Sequence, residues 1–152
     1  MKAYGMVRTA LAIPEIRVAD PAANTAAMMV LGEEAAAAGV GILLFPELAV
    51  TGYTCGDLFT QSALLTGAEA GLAALAEWSQ AAKMLVVVGA PIPVGSALYN
   101  CGVAINRGRI LGAVPKTYIP NTHEFYEKRW FAASRQLDRK STRLNSSHDR
   151  RS

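Results

Sequence analysis

Charge, aromatic residues and cysteine are all scarce in this 152-residue chain: 18% of it is charged, 7% aromatic, and it holds two cysteines and two histidines. Low charge beside 51% apolar residues excludes a mainly disordered chain and predicts one globular domain or a part of one. Cys55 and Cys101 are too few for a disulfide framework and read as reduced thiols. No apolar run approaches the roughly 20 residues of a membrane span. The opening "MKAYGMVRTALAIPEIR" is broken by Arg8, Pro14 and Glu15 before reaching signal-peptide length. These absences predict a cytoplasmic protein without membrane contact. The cysteine and histidine spacings match no zinc site, so no metal site is expected. Nucleotide-binding loops are missing too: Gly39 to Gly41 follows a helix, whereas a dinucleotide loop follows a strand.

The net charge of +3 is unevenly placed. Residues 1–137 carry ten basic and ten acidic side chains, while residues 138–152, "DRKSTRLNSSHDRRS", carry five and two. The basic balance is a property of the tail, and a nucleic-acid partner is not expected for the domain. With Leu144 as its one apolar residue, the tail reads as a disordered basic extension. Asp138 to His148 also resembles the translation of a sequencing-library adapter, so the domain is expected to occupy 1–137 and the tail to be no part of the fold.

Apolar patterning predicts the order β, α, β, α, β, β, β. A strand is expected over Tyr4 to Ile13, then a helix capped by Asp20 with Pro21 in its first turn and Gly39 as its stop. Ala27, Met28, Leu31, Ala35 and Ala38 share its predicted apolar face. "GILLF" is continuous, as in a parallel strand covered on both faces. A helical region follows from Asp57 to Ala82, with a break expected near Gly67 and Leu65, Ala68, Leu72, Leu75 and Ala76 inward. "MLVVVGA" is a third strand, and "ALYNCGVAINRGRILGAVPK" gives two more joined by a hairpin at Arg107 and Gly108. The fold class is therefore α/β, with helices packed on a sheet.

In open α/β sheets, functional groups gather beyond the carboxyl ends of strands. Glu47 lies at such an end after "GILLF", and Lys116 at another after "ILGAVP". Metal-free amide hydrolysis needs a nucleophile, a base and a cation or dipoles for the oxyanion. Glu47 could be the base and Lys116 the cation; equally, spacing alone allows both to be surface charges.

Three segments, "LLFPELAVTGYTCGDLF", "LYNCGVAINRGRILGAVPK" and "PKTYIPNTHEFYEKRWF", together resemble the carbon-nitrogen hydrolase (nitrilase) superfamily, and within it the glutaminase domains of glutamine-dependent NAD synthetases. The resemblance covers residues 4–133. It implies a four-layer α-β-β-α sandwich, here incomplete, and a Glu, Lys, Cys mechanism that hydrolyses glutamine. Glu47 takes the place of the general base, Lys116 that of the lysine stabilising the tetrahedral intermediate, and Glu124 that of a second glutamate positioning the lysine. Tyr53 and Thr122 stand at glutamine-contacting positions. Thr122 replaces a tyrosine of the related domains, which implies altered glutamine recognition. The resemblance further implies a C-terminal synthetase domain that uses ATP and magnesium to amidate deamido-NAD with the released ammonia, and a homo-oligomeric full-length protein.

The family's nucleophilic cysteine lies after the lysine, and here no cysteine follows Cys101. Cys55 lies too near Glu47 to match that position, and Cys101, within an apolar strand, reads as a core residue. The expectation is a fragment truncated before its nucleophile, itself inactive and without a cofactor. Two alternatives remain: another nitrilase or amidase of the superfamily, or a non-catalytic binding module whose tail is a native basic arm. Resequencing the source locus across the codon for Leu137 is expected to show the frame continuing to a cysteine at a later strand end; a genuine stop after Ser152 would favour the binding module.

Overall fold

The computed structural model describes residues 5–137, so the tail lies outside the described residues. The predicted order of elements is present: β1 (Thr9–Leu11), α1 (Pro21–Ala37), β2 (Ile42–Leu44), α2 (Ser62–Ala82), β3 (Leu85–Val94), β4 (Ala97–Asn106) and β5 (Arg109–Pro115), with short 3-10 turns at Gly56–Thr60, Glu127–Arg129 and Ser134–Gln136. The strands form one sheet in sequence order. β1, β2 and β3 are parallel, while β4 is antiparallel to both β3 and β5. β5 thus runs in the same direction as β2, and their carboxyl ends face one edge of the sheet.

Local signals account for the element ends. Asp20 Oδ1 accepts from the Ala23 amide, and Pro21 opens α1, where a missing N–H costs nothing. The chain leaves α1 through Gly39, whose φ of +73° suits glycine. Arg107 and Gly108 both have positive φ, as a two-residue hairpin turn requires.

Several expectations need correction. β1 is only Thr9–Leu11, because pairing with the three-residue β2 limits its ladder. Gly67 does not break α2; the irregularity falls at Gln61, whose extended backbone separates the 3-10 turn from the helix. Gly67 lies against the Pro21 ring, Gly71 against Thr25, and Gly32 where the Trp78 ring packs, so these glycines let α1 and α2 approach closely. Leu64 is buried where Leu65 was expected, and Ala38 is exposed because α1 ends at Ala37. Asn24 is fully buried, exchanging hydrogen bonds with the Arg17 backbone and donating to Val50 O.

The layers agree with the incomplete sandwich that the resemblance implies. α1 and α2 lie side by side over one face of the sheet, enclosing Met28, Leu43, Leu75, Val86, Val88, Val103 and Ile105. The other face is largely open, with Leu11 81% and Val114 75% exposed. The described residues thus supply one helix layer and one sheet of the four-layer sandwich. Among them, no helix is long and apolar enough to cross a membrane.

Such an apolar face favours association. Sedimentation of the 152-residue chain is expected to show self-association, reduced by Val114→Lys with Leu11→Lys; a monomer at high micromolar concentration would overturn this.

Candidate active site

β2 and β5 are three strand spacings apart, roughly 14 Å, too far for a direct contact between groups held at the two strand ends. The segment after β2 closes that gap by crossing over β3. Phe45 N bonds Val87 O and Val50 N bonds Gly89 O, which lays the Pro46 to Val50 turn on β3. A Cβ on Gly89 would stand 2.2 Å from Leu48 N and 2.6 Å from Pro46 O, both backbone atoms, so only glycine admits the crossing. Leu48 takes a φ of +52° within this turn, a conformation costing on the order of 1 kcal/mol for a non-glycine residue. Its side chain is fully buried in a second apolar cluster with Cys55, Phe59, Leu64 and Phe131, which offsets the strain.

The crossing places Glu47 beside Asn100 of β4 and within reach of Lys116, whose own amide bonds Asn100 O. Lys116 Nζ lies 2.6 Å from Glu47 Oε1 across 69 positions of sequence. Asn100 Nδ2 donates to the same oxygen at 2.6 Å. Among the described residues, no hydrogen bond reaches Glu47 Oε2. Lys116 also touches both oxygens of Glu127, at 3.2 and 3.1 Å, and the Tyr53 hydroxyl donates to Glu127 Oε1 at 2.7 Å.

One ammonium therefore stands between two carboxylates of different accessibility: the Glu47 side chain is 43% exposed and that of Glu127 is 5% exposed. Burial pulls the Lys116 pKa down, but hydrogen bonds and charges from Glu47 and Glu127 outweigh it and hold the pKa above the ordinary lysine value. The Tyr53 phenol is likewise raised, first by burial, then by its bond to Glu127 and by the charges of Glu127 and Glu47. It remains a proton donor at neutral pH.

The structure gives the lysine's second carboxylate as Glu127, not Glu124. Glu124 is exposed, as are residues 121–126 around it, whereas Glu127 is turned inward by its amide's bond to Pro120 O and by the 3-10 turn that it begins. Thr122 is exposed too; its carbonyl accepts from Phe125 N, and among the described residues its side chain bonds no member of the site. Asn100 was missed, although a lone amide within "LYNCGVAI" is a signal, since a buried polar side chain needs partners. Both cysteines are buried, and burial raises both thiols, Cys101 to about 12. Neither is a thiolate at neutral pH.

A cavity of about 320 Å³ adjoins Glu47, Asn100 and Lys116, between Phe45, Gly89 and Val114. A larger one, about 670 Å³, lies by Phe59, Trp130 and Phe131 and has no carboxylate in its wall. Among the described residues, no cluster of three or more metal-ligating side chains occurs.

A group whose folded pKa is raised gives stability that is present below its unfolded pKa and lost as pH rises through the folded value. For Lys116 the loss begins above about 10.5. Denaturant melts at pH 8 and pH 11 are expected to show a larger fall in stability for the wild type than for Lys116→Met; equal falls would mean that the lysine contacts are not formed.

The carbon-nitrogen hydrolase family matches residues 8–144. The glutamine-dependent NAD(+) synthetase of Mycobacterium tuberculosis (strain ATCC 25618 / H37Rv) is 38% identical over 129 residues, covering 85% of this chain and 19% of that protein. The Arabidopsis thaliana glutamine-dependent NAD(+) synthetase is 39% identical over 107 residues, 69% of this chain and 14% of its own. This chain thus spans about a fifth or less of the length of these relatives. A crystal structure of a glutamine-dependent NAD(+) synthetase from Cytophaga hutchinsonii superposes with a TM-score of 0.79 at 31% identity, covering 84% of this chain and 22% of that one. An amidase from Nesterenkonia sp. shares the fold, with a TM-score of 0.70 at 23% identity, over 84% of this chain and 48% of its own. With its match to the family running through the whole described sheet and both charged arms of the site, the chain belongs to the carbon-nitrogen hydrolase family.

Proposed function

We propose that this chain is the front part of a glutaminase domain that supplies ammonia to a synthetase domain, where ATP and magnesium would serve to amidate deamido-NAD. The observation that carries the reading is the Lys116 ammonium held between Glu47 and Glu127, with Glu47 and Lys116 in the wall of the 320 Å³ cavity, in a chain whose relatives are glutamine-dependent NAD(+) synthetases. Glutamine is the substrate, and the full-length protein is a homo-oligomer in the cytoplasm.

Glu47 is the general base. Lys116 and Asn100 both hold Oε1, which leaves Oε2 to take a proton from the attacking group. Lys116, kept protonated by its two carboxylates, stabilises the oxyanion that forms when the glutamine carboxamide is attacked. Glu127, in the place expected for Glu124, holds the ammonium in position. Tyr53 lends its hydroxyl to Glu127, and its half-exposed ring is the part that would contact glutamine. Thr122 lies on the exposed loop that would border bound glutamine, and Glu124 beside it has no catalytic part. The attacking thiol comes from a cysteine beyond this chain, since Cys101 is packed into the main core and Cys55 into the second apolar cluster.

The 152-residue chain is expected to release no glutamate from glutamine above background. Extension of the chain through a cysteine at the end of a later strand is expected to confer hydrolysis, which Glu47→Gln and Lys116→Met each reduce by about 100-fold or more. Hydrolysis by the 152-residue chain, abolished by Cys55→Ser, would overturn the assignment of the nucleophile; full activity in the extended Glu47→Gln variant would overturn that of the base.

A further inference from the structure

The motif residues not used by the site meet at one exposed point. Asp57, from "GDLF", accepts from Arg129 Nε at 2.7 Å and Trp130 Nε1 at 3.1 Å through Oδ1, and from Arg129 Nη2 at 3.1 Å through Oδ2. Both carboxylate oxygens and two consecutive side chains of "EKRW" are engaged. We propose that Asp57 is a positioning residue: by gripping Arg129 and Trp130 it fixes the turn Glu127–Arg129 and so keeps the Glu127 carboxylate on Lys116 and Tyr53.

Stability is a poor explanation for the contact. The side chains of Asp57 and Arg129 are 68% and 65% exposed, and ion pairs so placed contribute little to folding. A forked guanidinium on a carboxylate, joined by an indole donor, specifies direction instead. The hydrogen bonds to Arg129, and then that to Trp130, keep the Asp57 carboxyl below its ordinary range, so the grip persists throughout neutral pH.

The turn transmits this direction. Its geometry has three residues per turn, so Glu127 and Trp130 are coupled through one tight backbone unit. Glu127 O accepts from both Trp130 N, at 3.0 Å, and Phe131 N, at 2.8 Å. A rotation that released Arg129 and Trp130 from Asp57 would carry Glu127 with it. Beneath the turn, Phe59 packs against Trp130 at 6.1 Å and Phe131 at 4.9 Å between ring centroids, fixing depth while Asp57 fixes rotation. The same loop reaches the turn a second time, through Tyr53 to Glu127, four residues before Asp57.

The catalytic meaning of this grip rests on the proposed glutaminase reading, but its geometry is testable without turnover. In the 152-residue chain carrying 13Cζ-tyrosine and 15N-lysine, with Tyr53→Phe and Lys116→Met assigning the signals, the Tyr53 signal is expected not to titrate up to about pH 11, beyond the ordinary tyrosine value of about 10. Asp57→Asn and Arg129→Gln are expected to bring its titration below that point, as Glu127→Gln does, and Asp57→Glu to restore it. At pH 7, ammonium protons of Lys116 should exchange several-fold faster in Asp57→Asn than in the wild type. If Asp57→Asn leaves both the Tyr53 titration and the Lys116 exchange at wild-type values, the proposal fails, whatever happens to the melting temperature. These readouts stand even if the extended chain fails to hydrolyse glutamine, so failure of the two proposals is distinguishable.

Discussion

The site depends on one ammonium held between two carboxylates. Glu127, almost fully buried, would be an expensive charge by itself; Lys116 bonds both of its oxygens and Tyr53 one of them. Removing the cation would strand a buried carboxylate, a change that costs on the order of 3–5 kcal/mol where both partners are buried and less here, because the lysine is partly exposed. Glu47, more exposed, depends less on the lysine for its solvation than for its orientation, which it shares with Asn100. The two carboxylates thus make unequal demands on one cation.

Bringing these groups together requires the chain to cross β3, and the crossing determines much of the surrounding sequence. Gly89 is there because any side chain would strike the Pro46 to Leu48 backbone. Leu48 accepts a left-handed conformation because its side chain gains a fully buried site. Asn24, at the start of α1, donates to Val50 O and anchors the far end of the crossing. The turn-rich stretch from Thr51 to Phe59 then folds back to reach the Glu127–Arg129 turn at two points, through Tyr53 and Asp57. A carboxylate at a strand mouth and the turn formers after it are therefore parts of one device: the loop that carries Glu47 over β3 also builds the support for its counter-charge.

Much of the fold was legible because its signals are local. Asp20 and Pro21 mark a helix start, Gly39 a helix exit, and Arg107 with Gly108 a hairpin, each through the backbone conformation that the residue favours. Glu47 and Lys116 could be placed at strand ends of one sheet edge for the same reason. Other features were not local. Glu124 and Glu127 are equivalent by chemistry, and three residues of an irregular loop decide which faces inward. Gly67 reads as a helix breaker unless the Pro21 ring packed against it is known.

By itself, then, the sequence determined the order of strands and helices, their caps and turns, the apolar faces, and the opposite charges at the mouths of β2 and β5. Local backbone preference and apolar periodicity suffice for these. Only the tertiary structure decided that Glu127 meets Lys116 and that Asn100 shares Glu47 Oε1 with the lysine. Each of these depends on contacts between distant segments, set by where the chain crosses Gly89 and how the turn at Glu127 is rotated, and no residue's own preference specifies either.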